Sequence, residues 1–291
     1  MSFKKRQIDV TFQLGEGDFG EAGFDVVKLS GLRCQVDIAL AGGIQKGALN
    51  LRVYGMTLDM MNKLAKVGRL APSTKQNIVT VEARSDDDIP VSVFTGSIFT
   101  AWADFQGAPD VCLNVDAASG WFESNKPVDA LTYKSGVKVS LVIADIAAKM
   151  GYGFVDHGVN AVLPPSYMPG TAWDQLLQAT QMADINFSLH LGVIHIWEKG
   201  KYRLQDLALI SAETGMVGYP RFCETGITLT TEYDPAIVSG GLVNVQSQLV
   251  PACGAWVVNQ LSHNLTSETP GGPWFTNIEC SRYDQPTIKS N

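Results

Sequence analysis

Cysteine is scarce in this sequence, and its spacing excludes the two common kinds of cysteine cluster. Five cysteines are scattered over 291 residues, an odd number with no C-x-x-C pair: Cys34, Cys112, Cys223, Cys253 and Cys280. A disulfide framework needs paired cysteines, and a structural zinc site needs closely spaced ligands. We therefore predict reduced thiols that pack as small hydrophobic side chains.

Long apolar runs are also missing. No stretch reaches the roughly 18–20 residues of a membrane helix. Met1–Arg6 leads directly into an alternating strand, without the apolar segment of a signal peptide. The sequence predicts no membrane insertion and a protein that stays in the cytoplasm where it is made.

The charges are few and slightly unbalanced. Lys and Arg number 22 against 29 Asp and Glu, which gives a formal net charge of −7. This balance disfavours binding of nucleic acid phosphates over the whole surface, but it does not forbid an acidic channel that repels DNA and lets it slide past. With 45% hydrophobic and 18% charged residues the chain is predicted to fold, and its length is typical of two or three domains.

Signatures of hydrolytic catalysis are absent. The sequence has no nucleophile elbow, no H-E-x-x-H and no evident acid–base pair. The run Asp86–Asp88 precedes Pro90 between two strands, which favours a solvated turn. Asp110, Asp116 and Glu123 fit a glycosidase scheme only if a fold is assumed first. We therefore assign no catalytic, cofactor-binding or metal-binding residue, expect no cofactor, and predict that the protein is not an enzyme.

One motif resembles a dinucleotide-binding loop. Gly15–Gly20 spells G-x-G-x-x-G after a strand. No helical pattern follows, and Glu16, Asp18 and Glu21 would surround a pyrophosphate with like charge. A hairpin loop is the better interpretation.

The four histidines show no metal-binding spacing. His157, His190, His195 and His263 form no i, i+2 pair in a strand and no i, i+4 pair in a helix. A metal site built from single residues of three chains stays open.

Hydrophobic periodicity divides the chain into three blocks. Period-two alternation runs through Ile8–Leu14, Leu32–Leu40 and Leu49–Val53, and further strands are predicted up to residue 115. Between them Thr57 is predicted to cap a short helix, whose buried residues would be Leu58, Met61, Leu64 and Ala65. This pattern is typical of a β-barrel or sandwich with one embedded helix.

The middle block changes to helical spacing. Val139–Met150 predicts a helix that ends at Gly151, and Thr171 with Asp174 predicts a capping box for a second helix. A hairpin over residues 187–197 completes a small α/β module.

The last block returns to alternation. Trp274, Thr276, Ile278 and Cys280 share one strand face, so Trp274 is predicted to enter the core of this block. The Trp residues Trp102, Trp121 and Trp256 are interpreted as core or interface residues.

Several segments in the second half resemble the central hub proteins of phage baseplates. The motifs occur in the family's order and are specific over about residues 130–283, whereas the N-terminal third matches in pattern only. They are Gly170–Leu177, Ile194–Trp197, Ser211–Pro220, Gly226–Leu229, Gly240–Val245, Gly254–His263 and Pro270–Cys280.

The resemblance implies an α+β, mainly β fold with two tube-like antiparallel β-barrel domains and a small α/β insert. The implied domains are 1–127, 128–200 and 201–291. A weak internal echo, Gly96–Phe105 against Gly254–Leu265, favours a duplicated barrel.

The function implied is that of a structural hub subunit in the virion, assembled in the host cytoplasm. Three chains would form a homotrimer with six barrels, a ring that joins a six-fold tail tube to a three-fold spike. Implied partners are the spike protein, the tail tube or tube-initiator protein, the tape-measure protein and the baseplate wedge proteins. DNA would pass through the lumen without specific binding. Because the chain ends shortly after Cys280, we expect the spike to be a separate polypeptide.

Two alternatives stay open. One is a peptidoglycan hydrolase at the tail tip, and the other is the hub of a related injection machine, either a type VI secretion system or a contractile bacteriocin.

Overall fold

The computed structural model describes residues 5–20, 23–43, 45–65, 76–85 and 88–283, without the side chains of 204–206. Antiparallel strands dominate and helices are few, which confirms the predicted α+β, mainly β class. Asp86 and Asp87 of the predicted solvated turn, and Glu21 of the glycine-rich motif, lie outside these residues. None of the described helices is long and apolar enough to span a bilayer.

The first of two compact units comprises residues through Ala39, Gly47–Phe122 and His263–Phe275. Its strands follow the spatial order β3-β4-β7-β6-β5-β1-β2 and pair antiparallel. They are β1 Arg6–Gln13, β2 Val26–Leu29, β3 Cys34–Ala41, β4 Ala48–Tyr54, β5 Ile78–Ser85, β6 Val91–Asp104 and β7 Cys112–Ala118. Alternate side chains such as Phe12, Leu51 and Val81 are fully buried, as the period-two pattern predicts.

Helix α1, Leu58–Leu64, begins where it is predicted. The Thr57 Oγ1 atom accepts a hydrogen bond from the Met60 backbone N–H at 3.3 Å. Met61 and Leu64 are buried, but Leu58 is 57% exposed and Ala65 is exposed as well. The predicted burial of these two residues is wrong, because the seven-residue helix buries side chains only in its later part.

The second compact unit comprises Leu40–Lys46, Glu123–Ser262 and the chain from Thr276 onward. Its α/β part has helix α2, Val139–Met150, and helix α3, Ala172–Met182. Its strands are β8 Leu131–Tyr133, β9 Val137–Lys138, β10 Gly153–Asp156, β11 Val162–Leu163, β12 Ser166–Met168, β13 Ile185–His190 and β14 Val193–Glu198. β10 runs parallel to β14, and β13 pairs antiparallel on the other side of β14.

The two helices pack on this sheet as the sequence predicts. The apolar residues that recur at helical spacing along α2 form a buried stripe: Val139, Val142, Ile143, Ile146, Ala147 and Met150. Gly151 ends the helix at φ 74°. Together with Trp173, Leu176, Phe187, Ile194 and Ile196 this stripe forms one hydrophobic core.

The capping box of α3 is present. The Asp174 N–H donates to Thr171 Oγ1 at 3.1 Å, and the Thr171 N–H donates to Asp174 Oδ2 at 3.0 Å. We expect Thr171→Ala to lower the free energy of unfolding by about 1 kcal/mol, because it leaves a first-turn N–H without its acceptor. Thr171→Ser is the matched control and should be nearly neutral in urea denaturation. Equal losses in both variants would contradict a capping role.

The β-rich part of the second unit has the order β16-β17-β20-β19, with β18 beside β19 and β15 parallel to β18. These strands are β15 Leu204–Ile210, β16 Met216–Cys223, β17 Gly226–Glu232, β18 Gly241–Val245, β19 Gly254–Ser267 and β20 Trp274–Arg282, with a 3-10 helix at Val250–Ala252. Ile227, Val243, Trp256 and Ile278 belong to its core.

Strand β20 shows the predicted alternation. Trp274, Thr276, Ile278 and Cys280 are buried, and Asn277 is exposed. The prediction that Trp274 enters the core of the last block is corrected. Trp274 is grouped with the first unit, whereas Ile278 and Cys280 belong to the second. The reason is that β20, like β3 and β19, has residues in both units.

Candidate functional site: polar sheet faces and an arginine–histidine cluster

The outer face of the first unit carries a row of hydrogen-bonded polar side chains that crosses the strands. Asp37 lies opposite Asn50, and Asn50 lies opposite Asp116. The Asn50 Nδ2 atom donates to Asp116 Oδ1 at 2.8 Å, and the Asn264 amide donates to Asp37. We call this surface the Asp37 face. Its side chains are held by one another, so it is an ordered polar surface.

Carboxylates exceed cations on the Asp37 face. Lys28 binds two of the carboxylates, with its Nζ atom 2.5 Å from Glu82 Oε2 and 3.5 Å from Asp9 Oδ2. The hydrogen bond to Glu82 raises the pKa of Lys28. The strand residues with charges on this face are Asp9, Asp37, Glu82, Asp104 and Asp116 against Lys28, Arg52 and Arg84.

The second unit has a comparable surface, which we call the Glu279 face. Glu279 accepts hydrogen bonds from Thr225 Oγ1 and Gln260 Nε2, both at 2.6 Å. Beside it, Thr230 Oγ1 donates to Asn277 Oδ1 at 2.7 Å. Amides, hydroxyls and two carboxylates, those of Glu279 and Glu232, therefore lie on this face of β17, β20 and β19, and the face is polar with few charges.

Strand β16 presents apolar side chains at a sheet edge. Val217, Tyr219 and Phe222 are exposed, Phe222 by 57%. Among the described strands β16 pairs only with β17. An edge strand with large exposed apolar side chains is typical of a surface that another chain covers. In the first unit the edge strand β2 begins next to exposed Phe24 and includes exposed Val26.

Three of the four histidines surround one buried arginine in the second unit. Arg203 Nη2 lies 2.8 Å from His195 Nε2, and Arg203 Nη1 donates to Ser188 Oγ at 3.3 Å. His195 Nδ1 lies 3.1 Å from His157 Nε2. The backbone explains this convergence: β10 runs parallel to β14, which brings His157 beside His195, and β13 places Ser188 opposite His195.

The arginine fixes the protonation of this histidine chain. A guanidinium only donates hydrogen bonds, so His195 Nε2 must accept and His195 Nδ1 must carry the ring proton. That proton is donated to His157 Nε2. In this arrangement both facing nitrogens are used by hydrogen bonds, and neither offers a free lone pair to a metal ion.

The histidines are held in their neutral forms. Burial and the charge of Arg203 lower the pKa of His190 to about 4 and that of His195 to about 3. Burial also lowers the pKa of His157 and lowers that of Arg203 to about 10.

The other residues considered in the sequence analysis have separate environments. Asp110 pairs with Arg33 at 3.2 Å, Asp116 lies on the Asp37 face, and Glu123 is buried in the second unit, where burial raises its pKa. The glycine-rich motif leads into β2, which confirms a loop between two strands. Within the described part of the chain, His, Cys, Asp and Glu residues form no group of three with metal-binding geometry.

Comparisons with known proteins confirm the resemblance to baseplate hubs. A family model described as baseplate hub gp41 matches residues 8–280. A search of curated protein sequences found no significant match.

Three solved structures share the fold. The 43 kDa tail protein of prophage MuSo2 from Shewanella oneidensis has 11% identity and a TM-score of 0.63, over 95% of this chain and 97% of the other. A tail protein from Neisseria meningitidis has 12% identity and a TM-score of 0.60, over 94% and 96%. The E. coli c3393 protein, described as a component of the type VI secretion system, has 9% identity and a TM-score of 0.59, over 87% and 74%.

The family match spans nearly the whole chain, and these folds come from the same class of tail and secretion proteins. The chain therefore belongs to the baseplate hub gp41 family and has a structural hub role.

Proposed function

We propose that three copies of this chain form a ring that joins a six-fold tail tube to a three-fold spike. The observation that carries the proposal is the match to the baseplate hub family over residues 8–280. Two blocks of strands, β3-β4-β7-β6-β5-β1-β2 and β16-β17-β20-β19, each have a polar face and an apolar edge. They support the proposal, because a ring needs both an inner surface and edges that pair between copies.

In this proposal the Asp37 and Glu279 faces line a channel for DNA. A basic lumen would hold phosphates through counterion release, whereas a lumen with hydrogen-bonded amides and an excess of carboxylates lets DNA pass. The proposed partners are a spike protein, the tail tube or its initiator protein, the tape-measure protein and the baseplate wedge proteins. The proposed domains are 1–127, 128–200 and 201–291, and assembly takes place in the host cytoplasm.

The ring predicts a mass of three chains. Light scattering of the purified protein, alone and with the spike protein, should give about three times the chain mass of 31.4 kDa. We expect Phe222→Asp to reduce trimer formation with little change in the melting temperature of the monomer, because Phe222 is exposed at the β16 edge.

The matched control is Ile89→Asp, which places the same charge at a residue of the first unit that is 85% exposed. It should leave the trimer intact. The proposal would be overturned if the protein stayed monomeric both alone and with the spike protein. Equal effects of the two variants on trimer formation would show that β16 is not part of the interface.

We further propose that the protein acts without catalysis, since its family is structural. Zymography on host cell walls tests this directly, and clearing by the purified protein that Glu123→Gln abolishes would show a lytic activity instead. The likeness to a type VI secretion component also keeps a related injection machine as a second candidate. Neighbouring tube and tape-measure genes would favour a phage, and genes for secretion machinery would favour the alternative.

A further inference from the structure

Arg203 is a buried cation that contacts no carboxylate among the residues that the structure describes. It is only 7% exposed, and within the same residues its Nε–H has no hydrogen-bond acceptor. The two contacts of its terminal nitrogens, to His195 and Ser188, are with neutral groups. Removing a guanidinium from water is costly unless an anion compensates it, so buried cations are normally paired. Among the described side chains no counter-anion for Arg203 is found.

The carboxylate of Asp156, next to His157 in the sequence, is engaged elsewhere. Asp156 Oδ1 accepts the backbone N–H groups of Gly158 and Val159 at 3.0 and 2.8 Å. Burial and Arg203 lower the pKa of His157, and the Asp156 carboxylate opposes them. Within the described part of the chain Asp156 has no contact with Arg203. On the opposite side, Arg203 packs close to Gly240 and its backbone N–H donates to the Gly240 carbonyl, which is uncharged.

The cluster can be reached from solvent through its histidines. His157, His190 and His195 are all partly exposed, whereas Arg203 and Ser188 are buried. His157 ends the hydrogen-bond chain, because its Nε2 accepts from His195 and its Nδ1 therefore carries a proton that it can donate. A ligand that approaches this end meets N–H donors and a positive charge behind them.

We propose that Arg203, His157, His190 and His195 form a binding site for a compact oxyanion. The chemistry is that of a carboxylate or an inorganic oxyanion, which accepts several N–H bonds and supplies the missing negative charge. The source is either an acidic side chain of another protein subunit or a free anion. The inference does not rest on the proposed ring.

Anion binding at this site takes up protons. In the empty site Arg203 keeps the histidines neutral, because a second positive charge beside it is unfavourable. A bound anion offsets this charge and raises the pKa of the histidines. His190 takes no part in the described hydrogen-bond chain from Arg203 through His195 to His157, so it can form imidazolium without breaking that chain. Affinity must therefore rise as the pH falls, by up to about tenfold per pH unit for each proton taken up.

Sulfate is the probe, because it remains a dianion between pH 8 and pH 5.5. Sodium sulfate is titrated against sodium chloride at constant ionic strength, with imidazole NMR signals and calorimetry as the two measurements. We expect saturable shifts of the histidine signals, proton uptake on binding, and tighter binding at pH 5.5 than at pH 8. Absence of saturation, or an affinity that does not depend on pH, would overturn the proposal.

Two variants locate the site. Arg203→Gln should weaken sulfate binding by at least about tenfold, and Arg221→Gln is the matched control, since Arg221 is exposed in the same unit. If Arg203→Gln fails to fold, His157→Gln replaces it. This residue is partly exposed, so the variant should keep the fold, and it should weaken sulfate binding because it removes the imidazole N–H at the solvent end of the hydrogen-bond chain. Unchanged binding in both Arg203→Gln and His157→Gln would refute the assignment.

Light scattering with and without saturating sulfate identifies the natural ligand. If an acidic side chain of another copy occupies the site, sulfate competes with it and lowers the oligomer mass. If the ligand is a free anion, the mass stays constant while sulfate binds. A protein that binds sulfate but stays monomeric both alone and with the spike protein would contradict the ring proposal and leave this site in place.

Discussion

Replacement of Trp274 by alanine is expected to lower the free energy of unfolding by about 3–5 kcal/mol, the range for deletion of a large buried aromatic side chain. Trp274 is 3% exposed at the start of β20, and the Arg6 guanidinium lies 5.8 Å from its ring centroid. The variant should lose apolar contacts and leave a cavity. Urea denaturation of the purified protein measures the effect, which should also appear as poor assembly.

Trp102→Ala is the matched control. Trp102 is 44% exposed on β6, so its removal should cost far less than that of Trp274. A Trp274→Ala protein with an unchanged melting temperature that no longer attaches to tube or spike would place Trp274 in an interface. The prediction from the alternation of β20 that Trp274 is a core residue would then be wrong.

Acidification is expected to weaken the fold through the arginine–histidine cluster. The folded-state pKa values of His190 and His195, about 4 and about 3, lie below the ordinary value of 6.5. Between these values the unfolded chain binds more protons than the folded chain, so stability is lost as the pH falls from about 6.5 towards 3. Because both histidines are partly exposed and screened, we expect a combined loss on the order of 3 kcal/mol by pH 4.

Urea denaturation at a series of pH values tests this expectation. His190→Gln removes one of the two titrating groups and should flatten the dependence of unfolding free energy on pH between 6.5 and 4. Parallel pH curves for the wild type and this variant would show that the acid sensitivity comes from other groups. The measurement is done without sulfate, because a bound anion would raise the histidine pKa values.

Local patterns in the sequence predicted local structure well. The buried stripe of α2, its end at Gly151, the Thr171–Asp174 capping box and the alternation of β20 all depend on residues within a few positions of one another. Helix period, strand period and capping are short-range properties, so one sequence suffices to predict them.

The features that escaped prediction depend on long-range pairing. His157 and His195 are 38 residues apart and meet only because β10 runs parallel to β14. Gly226 is a second case, because a Cβ atom there would lie 2.2 Å from the Cys280 carbonyl oxygen, a contact that no motif around Gly226 reveals. The spacing of nearby residues predicts neither the pairing of β10 with β14 nor the contact between Gly226 and the Cys280 carbonyl.

The division of the chain also has a consequence for synthesis. The first unit needs His263–Phe275 in addition to its N-terminal segments, so it cannot be completed on the ribosome until nearly all of the chain described here has emerged. Until then β3, which pairs with β19 in the finished sheet, presents an open strand edge with apolar neighbours. Nascent chains of this protein should therefore depend on chaperones late in translation, and slow elongation near residue 263 should increase aggregation.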